Sequence, residues 1–597
     1  LFGNIGEKSI SHGEEPFILM MEEQVLKEME CTLSRKVLVI GRGVVAATLA
    51  DRLAGMGYEI VLSDSRQPGI EPGGPHGSAD GAGVNSHGSS ASSWKKEKVS
   101  ILSPSRIEGF YGSPGRFHVR FLMEGEAAME EEVGAVVLAN DCVLEPPFHP
   151  WGLDPSERIL SLSQLEESIR SGTGALSLEG RPLRTSVFVC GFNHPSHPAS
   201  QRRTLEAALK LAAGAQNRVL FLTEHLKVAD RGMERLGRKA RDSGVLLVKL
   251  TGTKPDICAH GEDITVSFFD EALGDHVTVG ADLLVLEEKY SPPEETSYLA
   301  AMMGIQLGPD GFFQGDHVYN RPIFTNRTGI WVVGCAKGPG SVEEGVEEAM
   351  AVSLEVSNLL GEGKKRVGED RVQLDRRKCS LCLTCYRLCP HRAISYLNRR
   401  PVFHDLACTG CGICAAECPM EAIQLYHSPD EELKWRLQRE DPAPTEADRG
   451  RPLRIIAFVC ENSALQSARF AALLGLARPS GLRIVEVPCA GSVDMDLLVT
   501  AFRSGADGVM VLACHQESCK SVEGSELARW RVLTVQEKLE EIGLEKKRLF
   551  FGTLAPGAPF DFAKMVREME KTLGDLDAGS EREKASPPGH GWVFSRG

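Results

Sequence analysis

Cys379-Ser-Leu-Cys382-Leu-Thr-Cys385-Tyr-Arg-Leu-Cys389-Pro390 is followed by Cys408-Thr-Gly-Cys411-Gly-Ile-Cys414-Ala-Ala-Glu-Cys418-Pro419. Both halves have the spacing C-x2-C-x2-C-x3-C-P. Three close cysteines in this spacing wrap one face of a [4Fe–4S] cubane, and the fourth crosses to the other cluster. Cys379, Cys382, Cys385 and Cys418 are therefore expected to hold one cluster. Cys408, Cys411, Cys414 and Cys389 are expected to hold the second. Zinc knuckles would use two ligand pairs with a longer gap, so two identical copies fit zinc or disulfides poorly. The stretch predicts a bacterial 2[4Fe–4S] ferredoxin module over 370–427.

Upstream, residues 361–378 are charged and poor in apolar side chains, which predicts a linker. Further back, Lys36-Val-Leu-Val-Ile40 reads as a buried strand, Gly41-Arg-Gly43-Val-Val-Ala46 as a turn, and Ala46 to Gly57 as an amphipathic helix. Glu59-Ile-Val-Leu-Ser-Asp64 is the next strand, with an acid at its end. This is a βαβ start carrying G-x-G-x-x-A. Gly41, Gly43 and Ala46 would let a pyrophosphate approach the helix N-terminus, and Asp64 would meet a ribose hydroxyl. Arg42 and the Val44-Val45 pair keep a ligand-free Rossmann half open as the alternative.

A second βαβ unit starts at Ser186-Val-Phe-Val-Cys190, with a helix at 201–213 and a strand at 218–222. Its turn, Gly191-Phe-Asn-His-Pro-Ser-His-Pro198, has one Gly and two Pro. A pyrophosphate could not approach it closely. His194 and His197 read as loop residues and not as metal ligands. Strands are expected at 245–250 and 282–286. Gly329-Ile-Trp-Val-Val-Gly334-Cys335-Ala-Lys-Gly338-Pro339 runs a strand into a glycine turn before a helix at 342–360. Gly334, Gly338 and Pro339 would face a flavin there, or form an ordinary strand–helix turn. Cys335 reads as a small buried side chain.

Downstream, residues 427–452 predict another linker. Arg454-Ile-Ile-Ala-Phe-Val-Cys460 opens a small α/β domain with strands at 483–487 and 508–513. Cys460, Cys489 and Cys514 fall at or just after strand ends, with Cys519 a few residues on. Strand ends of a parallel sheet share one edge, so the four could converge. Such a set suits a [2Fe–2S] cluster or zinc, against buried unligated thiols.

The 597 residues allow roughly four domains. We divide them into an N-terminal extension 1–34, a dinucleotide domain 35–185 with a flexible insertion 67–98, a second Rossmann-like domain 186–290, and a return of the first at 291–362. The ferredoxin module, an α/β domain at 453–576 and a disordered tail at 577–597 complete the division. A short helical pattern surrounds 21–30, and Met20 or Met21 is expected as the natural start. The net charge of −15 argues against a nucleic-acid partner. Eight of the seventeen cysteines lie in the ferredoxin motifs, which suggests a reducing, cytoplasmic setting. No apolar run reaches the ~18–20 residues of a membrane span, so membrane association would need a partner protein.

These parts together resemble a known family. Residues 36–425 look like the A subunit of heterodisulfide reductase, a thioredoxin-reductase-like FAD protein with a ferredoxin insert. Residues 453–575 look like the delta subunit of methyl-viologen-reducing hydrogenase. The matching stretches are Val487-Pro-Cys489-Ala-Gly-Ser-Val493, Ala501-Phe-Arg-Ser-Gly-Ala-Asp-Gly508 and Ala513-Cys-His-Gln-Glu-Ser-Cys519. The B subunit of the quinone-interacting membrane-bound oxidoreductase of sulfate reducers has the same fusion.

The resemblance implies an α/β, Rossmann-type FAD/NAD(P)-like two-domain flavoprotein bearing two [4Fe–4S] clusters and FAD. It implies a cytoplasmic redox-complex subunit that passes electrons between a soluble acceptor, such as adenylylsulfate reductase, and a membrane quinone subunit. The reductase family's further cysteine clusters are missing here, which fits the quinone-linked subunit better. The delta-like domain also reads Cys460-Glu-Asn-Ser, without C-x-x-C. Two other readings stand beside this one. One is an electron-bifurcating heterodisulfide-reductase-type subunit fed by hydrogenase or formate dehydrogenase. The other is a scaffold around one ferredoxin module, with no flavin.

Overall fold

The computed structural model describes residues 28–63, 98–102, 105–123, 128–171, 177–178, 181–213, 217–228, 231–260, 263–316, 322–368, 371–439, 452–476 and 479–585. Asp64, the insertion 67–98 and the expected start at Met20 or Met21 lie outside or largely outside these residues. The chain forms two compact units. One is Leu33–Gly363 with the segment Gln516–Val522; the other holds Lys364–His515, the strand Glu28–Thr32 and the chain from Glu523 onward.

The first unit holds two parallel sheets. In the first, Ile330–Val332, Ala135–Leu138, Lys36–Ile40, Glu59–Ser63 and Val99–Leu102 lie side by side in that order. Val37 to Ile40 and Ala135 to Leu138 are buried throughout, as expected where helices or sheets cover both faces. The chain leaves Lys36–Ile40 to one side through the helix Val44–Gly55 and later returns on its other side. The crevice between Lys36–Ile40 and Ala135–Leu138 is thus a topological switch point, where ligands of open α/β sheets bind.

The second sheet runs Ile159–Ser161, Leu283–Leu286, Thr185–Cys190, Arg218–Thr223 and Leu246–Lys249. Its switch point lies between Thr185–Cys190 and Leu283–Leu286. This sheet corrects one expected boundary. Ile159–Ser161 pairs with Leu284–Leu286, and the helix Leu162–Ser171 packs on the same core. The second domain therefore begins near 159 and not at 186.

The other unit joins the ferredoxin module to a third parallel sheet, ordered Leu482–Val487, Ile455–Cys460, Gly508–Ala513 and Leu549–Thr553. Again the chain turns to one side and then the other, and the switch point separates Ile455–Cys460 from Gly508–Ala513.

Three segments expected to be irregular are ordered. In the linker 361–378, Lys364–Gly368 pairs with Glu28–Thr32, and Val372–Leu374 pairs with Ile423–Leu425. The first pairing also replaces the helical pattern expected to reach residue 30 with a strand. In the linker 427–452, Asp430–Arg439 is a helix with Leu433 and Leu437 buried. The tail expected from 577 is helical to Ala585, and Asp577 Oδ1 pairs with Arg548 Nη2 at 3.0 Å. Charge dominates the composition of the two linkers, and the tail is a chain terminus, where order is least expected. Backbone pairing and a few apolar anchors suffice where a neighbouring core supplies the other face.

Among the described residues no helix is long and apolar enough to cross a membrane.

Candidate electron-transfer site

The two cysteine motifs have matching backbones. Leu381 and Leu383 adopt φ of 60° and 60°, and Gly410 and Gly412, at the same offsets in the second motif, adopt 70° and 80°. A left-handed leucine costs roughly 1–2 kcal/mol that glycine avoids. The strain stays because both loops must bend alike to aim three thiols inward. Each fourth cysteine accepts a backbone hydrogen bond at 3.3 Å: Ala393 N–H donates to Cys389 Sγ, and Ala422 N–H to Cys418 Sγ. Hydrogen bonds to sulfur are one lever that sets a cluster's potential.

Cys379, Cys382, Cys385 and Cys418 line a single cavity, closed by Leu381, Leu383, Pro401 and Met420. This is the first expected ligand set, and it includes the one cysteine that crosses from the other motif. Burial pushes the Cys385 thiol up, with Cys382, Cys379 and Cys418 adding to it. The second set is also together. Burial pushes Cys414 well up, with Cys411, Cys408, Cys389 and, from the first set, Cys385 adding to it.

Among the described residues no three Cys, His, Asp or Glu side chains converge as one metal ion would require. A cubane requires something else, because its irons lie at separate corners and the thiolates surround a cage. Four thiols lining one cavity fit the donor set of a [4Fe–4S] cluster.

At the third switch point Cys460 Sγ and Cys514 Sγ stand 3.6 Å apart. Cys489 follows the neighbouring strand, and its Sγ accepts the Gly491 N–H at 3.4 Å. All three are buried. Cys519 is also buried, but its segment Gln516–Val522 groups with the other compact unit.

Glycine contacts and one arginine dock the second cysteine loop against this sheet edge. A Cβ on Gly412 would lie 2.6 Å from Ser492 Cβ, and one on Gly491 would lie 2.9 Å from Ile413 Cγ1. Arg531, on the helix Gly524–Glu541, donates to the carbonyls of Gly491 and Val493 at 2.8 and 2.9 Å, and to Glu417 Oε1 at 2.5 Å. The loop that presents Cys411 and Cys414 thus abuts the turn that follows Cys489. Gly491 lies in the stretch Val487–Val493 singled out above, but no sequence motif announced Arg531. Arg531 sits mid-helix, and its role exists only through residues far from it in the chain.

The Gly41 turn is built for a close approach. Gly41 has φ of +139°, and a Cβ there would lie 2.1 Å from the Ala139 carbonyl oxygen. A Cβ on Gly43 would meet Asp141 Oδ1 at 2.4 Å. The N-cap residue Gly43 has no side chain to cap the helix Val44–Gly55 and the helix's own first turn holds no acid, while the Asp141 carboxylate stands beside Gly43 at its start. Ala46 is buried in that turn. Asn140 lies across the switch point, and its buried Oδ1 has no hydrogen-bond partner. These features fit a dinucleotide such as FAD, with Gly41, Gly43 and Ala46 at the pyrophosphate. Val45 has a packing role, since a Cβ on Gly345 would lie 2.6 Å from Val45 Cγ2. Val45 thus seats this helix against the helix Val342–Leu360, while Val44 is exposed.

The downstream trio is less open. The Gly334 N–H donates to Glu348 Oε2 at 2.8 Å. The helix Val342–Leu360 is capped by its own Ser341 and Glu344 in a reciprocal capping box. Gly338 takes φ of +142°, and Pro339 follows it. These residues shape the strand-to-helix turn, and its own acids occupy the donors a phosphate would use.

The second switch point is closed by side chains. Ser196 Oγ donates to Glu287 Oε1 at 2.5 Å and contacts Cys190 Sγ at 3.3 Å. His197 caps the helix Pro198–Ala212 through Nδ1, which agrees with its reading as a loop residue.

A glycine-to-alanine change at residue 41 tests the first crevice. The backbone cannot keep φ of +139° with a Cβ 2.1 Å from a carbonyl. The Gly41→Ala protein is expected to lose bound flavin by at least about tenfold while retaining its iron. Absorbance and iron analysis of the same sample check this.

Comparisons with known proteins agree with the two-part layout. Residues 455–577 match the family "Methyl-viologen-reducing hydrogenase, delta subunit", and residues 371–419 match "4Fe-4S dicluster domain". The chain is 27% identical over 476 residues to the A subunit of ferredoxin:CoB-CoM heterodisulfide reductase of Methanosarcina mazei, covering 76% of this chain and 59% of that protein. It is 31% identical over 174 residues to the A subunit of the H(2)/formate:CoB-CoM heterodisulfide,ferredoxin reductase of Methanococcus maripaludis, covering 29% of this chain and 26% of that one. It is 31% identical over 122 residues to the iron-sulfur D subunit of the F420-non-reducing hydrogenase of Archaeoglobus profundus, covering 20% of this chain and 89% of that protein. The chain thus spans about three-fifths of the length of the reductase subunits with which it aligns most extensively.

Proposed function

From a chain that joins a homologue of the heterodisulfide reductase A subunit to a domain belonging to the methyl-viologen-reducing hydrogenase delta-subunit family, we propose a flavin and iron–sulfur oxidoreductase subunit of a heterodisulfide-reductase-type complex. Its delta domain receives or delivers electrons at a hydrogenase- or formate-dehydrogenase-type partner. When bound, FAD and the clusters supply the exchange between two-electron and single-electron chemistry.

One observation carries this reading. The loop of Cys411 and Cys414 and the edge bearing Cys460, Cys489 and Cys514 belong to one compact unit. Arg531 and the Gly412 and Gly491 contacts hold them in register. Cys379, Cys382, Cys385 and Cys418 would hold one [4Fe–4S] cluster, and Cys408, Cys411, Cys414 and Cys389 the other. Cys460, Cys489 and Cys514 are candidate ligands of a third group, a [2Fe–2S] cluster, for which the sequence offers Cys519 as the fourth. Gly41, Gly43 and Ala46 would hold the FAD pyrophosphate and Asp64 its ribose, with Gly334, Gly338 and Pro339 shaping the far side of the crevice.

Quinone-linked assembly is the second reading, with a soluble acceptor of dissimilatory sulfur metabolism on one side and a membrane quinone-binding subunit on the other. It is supported by the lack of any further closely spaced cysteine run: Cys31, Cys142, Cys190, Cys258 and Cys335 stand far apart in sequence.

Anaerobic purification of the native complex separates the two. The leading reading expects a hydrogenase- or formate-dehydrogenase-type subunit to co-purify, with a flavin whose two one-electron potentials are crossed. A membrane quinone subunit, with a flavin titrating in one ordinary two-electron step, would replace it with the second.

A further inference from the structure

Cys142 and Cys335 lie in neither ferredoxin motif nor the delta domain, yet the first sheet brings them together. Cys142 follows the strand Ala135–Leu138 and Cys335 follows Ile330–Val332. These strands are parallel neighbours, with Val332 opposite Leu138, so both chains leave the same carboxyl edge side by side. The two thiols pack in one buried cluster. They are 3% and 7% exposed, in a pocket with Tyr290, Phe312 and Leu144. Tyr290 supplies the polar group of that pocket, and its hydroxyl accepts from Arg203 Nη1 at 3.2 Å.

The position is the informative part. The glycine turn rests on Ala139 and Asp141, one to three residues before Cys142. Asn140, with its unpartnered Oδ1, lies between them. The thiol pair therefore stands beside the crevice assigned above to FAD. Two sulfurs placed merely as small apolar fillers have no need to meet, or to meet at this edge.

We propose that Cys142 and Cys335 are a redox-active dithiol, cycling between two thiols and one disulfide, with the flavin of the same edge as its electron partner. Oxidation breaks two S–H bonds and forms one S–S bond. A flavin held in the crevice would take up the two electrons and two protons, going from its oxidised to its dihydro form. The flavin half of this proposal rests on the FAD reading of the Gly41 turn. Burial shields the pair from disulfides in bulk solvent, so exchange with them should be slow and exchange through the crevice preferred.

The test uses the full-length protein, purified anaerobically and equilibrated with reduced and oxidised dithiothreitol over a wide range of ratios. Thiol–disulfide exchange with that reagent balances as one disulfide consumed and one formed. Samples are acid-quenched, alkylated and digested with trypsin. Cys142 falls in the peptide Phe121–Arg158 and Cys335 in Thr328–Lys337, and neither contains another cysteine. The expected result is that both lose alkylation together, with one two-electron midpoint, and appear as a single crosslinked peptide. In Cys142→Ser, Cys335 should remain alkylatable at every ratio. Full alkylation of both peptides across the whole range, after equilibrium is verified from both directions, would overturn the dithiol. A crosslink in protein that carries no flavin would overturn the FAD reading and its electron partner, and leave the pair standing.

Discussion

Cys411→Ser protein should bind about four fewer iron atoms per chain than the parent. Cys411 belongs to the set whose other members are Cys408, Cys414 and Cys389. A serine oxygen is a harder and weaker ligand for iron than a thiolate, and three thiolates do not retain a cubane well. The cavity lined by Cys379, Cys382, Cys385 and Cys418 uses none of these four cysteines, so that cluster should remain. Iron analysis and low-temperature electron paramagnetic resonance give the count directly. The functional effect should be much larger than a factor of two. The Cys411 loop is the part of the ferredoxin module seated on the delta domain, so its loss breaks the path at the join. Flavin reduction through the delta domain should slow by at least about a hundredfold, with flavin content unchanged. A Cys411→Ser protein that still passed electrons at the parent rate would show that the path bypasses this loop. Cys382→Ser should also remove about four iron atoms, while leaving the cluster beside the delta domain in place.

Arg531→Met should release the ferredoxin module from the delta domain. Arg531 is 9% exposed at its side chain and bridges the Gly491 and Val493 carbonyls to Glu417. Methionine fills much of the same volume but donates to none of these groups. Removing one partner of a buried pair leaves the other charge uncompensated, which typically costs about 3–5 kcal/mol. Glu417 is 29% exposed and can recover some hydration, so about 2–3 kcal/mol is expected here. Hydrogen exchange should then accelerate across 408–418 and 489–493 together, with the strand Ile455–Cys460 still protected. Glu417→Gln keeps the shape and removes the charge, and should cost about 1 kcal/mol. In the double variant the two losses should fall well short of adding, because they report one interaction. Strict additivity would mean that Arg531 acts through the carbonyls alone.

Much of this arrangement was legible in the residues. The cysteine spacing named both ligand sets, including the crossing of Cys418 and Cys389, because a cubane's geometry permits few spacings. Strand, turn and helix at Lys36–Gly55 were also legible, since burial on both faces leaves a continuous apolar run and a close backbone approach demands glycine. The trio Gly334, Gly338 and Pro339 shows where such reading falls short. A glycine turn before a helix looks the same in sequence whether its donors wait for a phosphate or are already taken. Here Glu348, Ser341 and Glu344 take them, and only the fold puts Glu348 within reach of Gly334.

Charged segments misled for a related reason. Lys364–Gly368 and Asp430–Arg439 carry too little apolar surface to predict order, but each meets a partner the chain supplies elsewhere. Strand pairing and helix docking draw on backbone groups that all sequences share, so composition does not report them.

By itself, then, the sequence determined which thiols are candidates for iron and which turn is a candidate for a dinucleotide, because ligand chemistry and backbone sterics act over a few residues. The tertiary structure decided what those sites face. The seating of the Cys411 loop beside Cys489, the arginine that holds it, the closure of the second switch point by Ser196 and Glu287, and the meeting of Cys142 with Cys335 all join residues distant in the chain. Each depends on strand order within a sheet, and strand order is set by the packing of whole layers, which no local stretch encodes.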